Sequence, residues 1–385
     1  MAAIMTNSTA VRFGCPASQP GRLTLFLCGD VMLGRGIDQI LPHPLDPTLH
    51  ESYCHDARDY VALAEAANGP ILRPADYSWP WGDALDILAA AAPDARIMNL
   101  ETSVTGSDQF APGKSIHYRM NPANLPGLTV ARPDVCALAN NHVLDFGRPG
   151  LQETLITLTS AGVQVAGAGL NARQAQRPAT VTVEDGRILV FAFGTPSSGI
   201  PPHWAATDDR AGIDVLPELS RNSSARLADR IHHHKRPGDI VVVSVHWGSN
   251  WGYDIPKAQT RLAHQLIDNG ADIVHGHSSH HPRPIEVYRD RLILYGCGDL
   301  INDYEGIGVH RQYRDDLRLM YLASVAPTGE LACLLIAPTQ ARHMRLHRAS
   351  PEDTEWTRTS LGSVSSRSGI RIDAAPHGML TLRPN

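Results

Sequence analysis

The sequence contains no long apolar run. Nothing in it approaches the ~18 apolar residues a membrane-crossing helix needs, so no membrane span is expected. Residues 1–21 lack a basic stretch followed by an apolar one and read as a flexible leader, not a secretory signal. Cysteine is sparse: Cys15, Cys28, Cys54, Cys136, Cys297 and Cys333 are scattered, and none forms a CxxC pair. Cys28, Cys136 and Cys333 lie in apolar runs, where cysteine behaves as a small hydrophobe. The expectation is a reduced, cytoplasmic chain without a disulfide framework. Lysine is nearly absent, confined to Lys114, Lys235 and Lys257, which reads as a genomic habit, not a physical demand. There is no positive excess either. A formal charge of −5 and a pI near 6.4 argue against a nucleic-acid partner. No internal repeat is visible, and 385 residues at 43% hydrophobic composition suit one large domain or a domain with a small appendage.

What is present is a series of metal-ligand residues, each just after a strand-like apolar run. Leu23 to Gly29 runs into Asp30. Ala95 to Met98 runs into Asn99-Leu100-Glu101. Val135 to Ala139 runs into Asn140-Asn141-His142. Ile240 to Val245 ends at His246, and Ile273-Val274 leads into His275-Gly276-His277-Ser278-Ser279-His280-His281. In open α/β sheets ligands bind at the carboxyl ends of the strands. Five such ends with ligand-type residues predict one shared metal site.

Strand-like and helix-like segments alternate, which predicts α/β layers. Helices are expected over Trp81–Ala91, Gly150–Ala161, Leu216–Lys235 and Pro256–Asn269, the last with Pro at its first turn and Gly270 past its end. His232-His233-His234 closes the third helix and reads as a solvated helix end, not a metal site. A hairpin is expected from Arg283 to Leu294 with its turn at Arg289-Asp290. Leu317–Val325 and Leu331–Pro338 suggest an antiparallel pair. The tail 351–369 reads as helix then loop, and Gly378–Arg383 as an edge strand. Segment 41–80 lacks periodicity, is too long for an ordinary loop, and reads as an insertion near the site mouth.

Asp30 and Glu101 offer carboxylates, Asn141 an amide oxygen, and His246, His277 and His280 imidazoles. That inventory suits two divalent metal ions, Mn, Fe or Zn, since ligand type alone does not select among them. His142, beside Asn141, is placed to act as general acid. Asp145 can hold its tautomer. Arg35 can meet an anionic substrate group or pair with a carboxylate. By alternation His275 is expected to point away from His277 and to be structural. Asp299 and Asp303 follow a glycine-rich turn and are read as shaping it before any site role.

The order of these motifs resembles one family. Gly29-Asp30-Val31-Met32-Leu33-Gly34-Arg35, Asn99-Leu100-Glu101, Asn140-Asn141-His142-Val143-Leu144-Asp145, His246-Trp247-Gly248, Gly276-His277-Ser278-Ser279-His280-His281-Pro282 and Tyr295-Gly296-Cys297-Gly298-Asp299 together resemble the CapA family of poly-γ-glutamate capsule synthesis proteins. The likeness covers roughly residues 22–310. It implies a calcineurin-like metallophosphatase fold: a four-layer α/β sandwich of two mixed β-sheets flanked by helices, with a dinuclear site at one end. The domain is then expected over 22–345, with 346–385 as an extension packed on it. Three positions depart from the wider metallophosphatase pattern. Met32 stands where a His is usual, Glu101 where many relatives have Asp, and Gly-His-Ser-Ser-His requires His280 to return to the metal, with His281 as its substitute.

Two functions compete. One is a metal-dependent hydrolase acting on a phosphoester or γ-glutamyl-type amide of a small or peptide-like anionic substrate. The other is a non-catalytic accessory role in making or exporting an anionic polymer; the fold alone adds a third, a metal-stabilised scaffold. The sequence assigns no oligomeric state.

Overall fold

The structure is a computed structural model and describes residues 21–384 apart from 185 and 309. The leader expected over 1–21 lies outside the described residues, Gly21 excepted. The strands of the two large sheets are, in chain order, β1 (Leu23–Val31), β2 (Ala95–Leu100), β3 (Val135–Ala137), β4 (Gln164–Ala166), β5 (Ala179–Val183), β6 (Gly186–Gly194), β7 (Ile240–His246) and β8 (Ile273–His277). They continue with β9 (Ile285–Tyr288), β10 (Arg291–Leu294), β11 (Asp299–Ile301), β12 (Leu317–Val325), β13 (Leu331–Arg342), β14 (Arg345–Arg348), β15 (Ile370–Ala375) and β16 (Met379–Pro384).

One sheet has ten strands, in the order β15-β16-β13-β12-β1-β2-β3-β4, with β11 beside β1 and β14 beside β13. Its β1 to β4 run parallel, and β12 and β13 antiparallel. The other has six, in the order β9-β10-β8-β7-β6-β5, with a parallel centre β6-β7-β8-β10 and an antiparallel strand at each edge. Both sheets are mixed and helices accompany them, so the chain is mixed α/β as expected.

Strand β7 shows why its sequence is continuously apolar. Ile240 and Val242 join the core that also holds Leu25, Leu27 and Ile97 of the ten-stranded sheet. Val241, Val243 and Val245 face the other way, onto Leu227 and Ile231 of helix Arg221–His234 and Leu262 and Leu266 of helix Lys257–Asp268. A strand covered on both faces has no solvent side to require alternation. Each such side chain contributes roughly 1.5–3 kcal/mol by burial, which fixes where His246, at the end of β7, must emerge.

The helices begin where local chemistry allows. Ser220 caps Arg221–His234 by accepting from the Ser223 amide, so this helix starts five residues later than its apolar pattern suggests. Lys257–Asp268 ends before Gly270, whose φ of 100° suits glycine. Segment 41–80 contains a helix, Arg58–Asn68, that buries Tyr60, Val61 and Ala64. The tail forms the helix Pro351–Ser365, then β15 pairs with β16, which joins β13. Strand β15 occupies the stretch just beyond the expected loop.

Among the described residues no helix is long and apolar enough to cross a membrane. Cys28, Cys54, Cys136 and Cys297 are free and buried, but Cys333 is disulfide-bonded. The expectation of a wholly reduced chain is corrected at that position. Cys333 does lie in a strand, but at the half-buried start of β13, at the margin of the core.

Candidate metal centre

The centre forms where β1 and β11 are brought together by two glycines. A Cβ on Gly29 would lie 1.7 Å from the Gly298 carbonyl oxygen, so only glycine permits this approach. Gly298 has φ 77°, a left-handed conformation glycine adopts without strain. The Asp30 amide donates to that same carbonyl at 3.1 Å, and Asp30 pairs in register with Asp299. Register shifts on both sides of Asp30 mark a bulge in β1, which re-aims a side chain at a strand end.

Asp30 is the hub. Its carboxylate accepts from Asn99 Nδ2 at 2.6 Å and from the Ser278 amide at 3.2 Å. Ser278 turns its amide there with a φ of 100°, a strained value for a residue with a side chain. Two groups of potential ligands share Asp30: one with His246 and His277, the other with His280 and Asp299. The His246 and His277 Nδ1 atoms lie 2.8 Å apart, and His277 Nδ1 lies 4.0 Å from Asp30. His280 Nδ1 lies 3.0 Å from Asp299, whose other oxygen accepts from Asn302 at 2.5 Å. Glu101 faces this centre, with Oε1 3.7 Å from His246 Nε2 and 3.8 Å from His142 Nε2. Asn141 Oδ1 lies 2.8 Å from His246 Nε2.

The structure therefore brings together Asp30, Glu101, Asn141, His142, His246, His277 and His280. Asp299 stands in one of the two ligand groups, although the sequence reading made it a turn-former first. The signal was present, because Gly298-Asp299 repeats the Gly29-Asp30 pattern. His281 takes no place in either group. Its ring stacks on Trp251 and Tyr313, and its Nε2 accepts from the Gly252 amide. The expected orientation of His275 is corrected. Residues two apart in a strand share a face, and His275 and His277 both meet Ser244 Oγ, at 3.1 and 2.8 Å. His275 Nε2 donates to the Cys28 carbonyl at 2.8 Å and so ties β8 to β1.

The electrostatics of the donor set fit cations. Burial, then Asp299, pushes Asp30 up to about 7. Burial and the neighbouring Asp30 and Asp299 carboxylates hold Glu101 well above its usual range. Burial also pushes His246 and His277 well down, so both rings are neutral and can act as ligands. Buried acids that resist ionisation beside neutral imidazoles are stabilised together by a divalent positive charge.

A second constellation adjoins the first. Asn140 staples the loop after β3: Nδ2 donates to the Leu100 carbonyl, and Oδ1 accepts from the His142 and Val143 amides. That loop sets the His142 ring under Tyr118, with centroids 4.0 Å apart. His142 Nδ1 lies 2.6 Å from Asp145 Oδ2 and 2.9 Å from Lys114 Nζ. Lys114 also donates to Asp145 Oδ1 and to the Asn141 carbonyl. Burial and Lys114 both push His142 well below its usual value. Lys114 was not anticipated, since nothing near it in sequence marks a site. Arg35 takes the second of its two expected roles. It pairs with Asp303 through Nε at 2.8 Å and Nη2 at 2.5 Å, and with Glu51 through Nη1 at 2.7 Å, and lies 3.5 Å over the Tyr60 ring. Nothing near Glu51 in sequence marks it as a partner of Arg35, and the glycine-rich turn before Asp303 accounts for that residue without a site role.

A cleft of about 240 Å³ opens over His280, lined by Tyr53, Tyr118, Trp251 and Tyr304 among others.

Comparison with known proteins adds a separate observation. A family model described as the bacterial capsule synthesis protein PGA_cap matches residues 24–304. A probable polyglutamine synthesis accessory protein of Mycobacterium tuberculosis is 50% identical over 371 residues, spanning 96% of this chain and 98% of its own length. A PGA biosynthesis protein CapA of Bacillus subtilis is 27% identical over 283 residues, 73% of this chain and 63% of that protein. A capsule biosynthesis protein CapA of Bacillus anthracis is 24% identical over 283 residues, 73% and 60% of the two chains.

Proposed function

The chain belongs to the bacterial capsule synthesis protein PGA_cap family, and from that premise we propose that it is a metal-dependent hydrolase serving polyglutamate synthesis. Its frame in this reading is the four-layer metallophosphatase sandwich, and its substrate carries a phosphoester or γ-glutamyl-type amide. The observation that carries the reading is the sharing of Asp30 by two ligand groups at the carboxyl ends of parallel strands.

Asp30, His246 and His277 would hold one divalent ion, and Asp30, His280 and Asp299 the other, with Glu101 and Asn141 at their edge on the Nε2 side of His246. Divalent cations supply electrophilic charge at such a site, offsetting negative charge that develops on the substrate. The chain's own residues do the rest. His142 presents Nε2 toward Glu101 and moves a proton there to or from the leaving group. Asp145 fixes the ring from the Nδ1 side, and Lys114 pins Asp145 and the Asn141 carbonyl. Aromatic walls bind the substrate and exclude bulk solvent, leaving room for the one water whose oxygen bonds to the phosphorus or carbonyl carbon as the leaving group departs with the proton from His142.

The test is metal content of the purified chain together with hydrolysis of p-nitrophenyl phosphate, bis-p-nitrophenyl phosphate and γ-glutamyl-p-nitroanilide. The expected result is about two ions per chain and turnover of at least one substrate that Asp30→Asn abolishes. Bound metal with turnover of none would favour the second reading, a non-catalytic accessory role. The description of the mycobacterial relative as an accessory protein supports that reading. A chain that takes up no divalent ion after reconstitution would sink the dinuclear reading and leave a scaffold role.

A further inference from the structure

Beside the metal centre lies a second, larger pocket of about 470 Å³, within the size range of ligand sites. Arg311, Arg314, Arg318 and Arg342 all line it, with Gln340 and Asn302. The carboxylates on its wall are largely consumed elsewhere. Glu305 accepts from the His343 and Met344 amides, both at 2.8 Å, and from Asn68. Asp316 accepts from Arg314 at 2.7 and 2.9 Å and from Gln340 at 2.8 Å. Arg314 is thereby paired, and Asp353 also accepts from it. Among the described residues Arg311 and Arg342 form no ion pair, and Arg342 reaches only the neutral Asn68 amide, at 3.2 Å. Asp315, the remaining wall carboxylate, stands between this pocket and the cleft over His280 and lines both.

The decisive residue is Arg318. It is 2% exposed, yet its Nε and Nη1 have no hydrogen-bond partner in the protein. Nη1 lies 3.2 Å from Asp299 Oδ2 without hydrogen-bond alignment, while Nη2 donates to Asn302 at 2.9 Å. A buried guanidinium that keeps unused donors despite its ion pair with Asp299, lining a pocket rimmed by two guanidiniums that form no ion pair, is a site for an anion. Arginine is the side chain that meets planar or tetrahedral oxyanions through paired N–H groups.

We propose that this pocket is an oxyanion-binding site, taking a carboxylate or phosphate group of a ligand, and that it acts independently of bound metal. It shares Tyr304 and Asp315 with the cleft over His280, so a ligand longer than one group can occupy both.

The experiment is isothermal titration of the full chain at low salt with two probes, inorganic phosphate and tri-γ-glutamate. Three proteins are compared: the unaltered chain, the double variant Arg311→Gln/Arg342→Gln, and Asp30→Asn. Arg311 and Arg342 are exposed, so their replacement leaves the fold intact, and circular dichroism checks this. At least one probe is expected to bind. The double variant should weaken it about tenfold or more, and Asp30→Asn should leave it within about twofold, because Asp30 does not line the pocket and Asp299, which Arg318 meets, is unaltered. Which probe binds distinguishes a phosphate source from a glutamyl one. Binding of neither probe overturns the site. So does binding that the double variant leaves unweakened. Loss in Asp30→Asn alone would place the anion at the metal centre, which supports the hydrolase reading and refutes this one.

Discussion

Replacing Asp30 by Asn should make the metal-free protein more stable at alkaline pH, although it removes the hub of the site. The reasoning starts from burial. Asp30 is 1% exposed and pushed up to about 7 by burial and by Asp299. An acid whose pKa rises on folding contributes most stability below its unfolded value, here 3.8, and loses it as pH climbs to about 7. At ~1.4 kcal/mol per pH unit, that gap costs the folded state about 4 kcal/mol at pH 8. An asparagine carries no such cost. It keeps an oxygen for Asn99 Nδ2 but turns an NH₂ toward the Ser278 amide, a donor clash of about 1 kcal/mol. The net expectation is a gain of about 3 kcal/mol at pH 8 in a chelator, shrinking to about 1 kcal/mol or less at pH 5. Urea unfolding followed by fluorescence measures both. With a divalent metal at ~1,000 times its Kd the order reverses, because binding to the folded state adds about 4.1 kcal/mol to the unaltered chain only. If Asp30→Asn is destabilising in chelator at pH 8, the carboxylate is a strand-end cap, and the argument for an electrostatically frustrated site fails.

Three further outcomes are expected. His142→Ala should lower hydrolysis by ~10²–10⁴-fold while metal content stays unchanged, which elemental analysis of the same sample checks; a parallel loss of metal would make His142 a ligand. Burial pushes Asp145 up to about 6, so activity should fall as pH drops through that value and Asp145 releases its hold on His142 and Lys114. A pH–rate profile should show this acid limb, and Asp145→Asn should remove it at a lower overall rate. Arg35→Ala leaves Glu51 and Asp303 buried without their cation, so urea unfolding should report a loss of ~3–5 kcal/mol. Equal stability would mean the pair is already compensated by Tyr60 and backbone amides.

Much of the candidate site was legible because its residues end apolar runs. Asp30, His246 and His277 sit at the ends of β1, β7 and β8, and strand periodicity marks those ends in any single sequence. The hairpin β9–β10 with its turn at Arg289-Asp290 was legible for the same reason, and both turn residues have the positive φ such a turn needs. What stayed hidden depends on chain segments far apart in sequence. Lys114 meets Asp145 only because the loop 105–118 folds back onto the loop after β3. Glu51 meets Arg35 only because the segment after the first strand returns to it. Helix Arg58–Asn68 was obscured because just one narrow side of it is buried. The error at His275 was one of geometry, since residues two apart share a face of any strand.

Asp30 belongs to the ten-stranded sheet, and His246 and His277 to the six-stranded one. A cation gripped by all three would rivet two layers otherwise joined by apolar packing and by a few hydrogen bonds, His275 to the Cys28 carbonyl and the Ser278 amide to Asp30 among them. The affinity of that rivet is then set partly by how far apart the core holds the layers. Trimming Val242 or Leu27, remote from any ligand atom, becomes a way to tune metal selectivity, and a change of ion radius becomes a strain felt through the whole core.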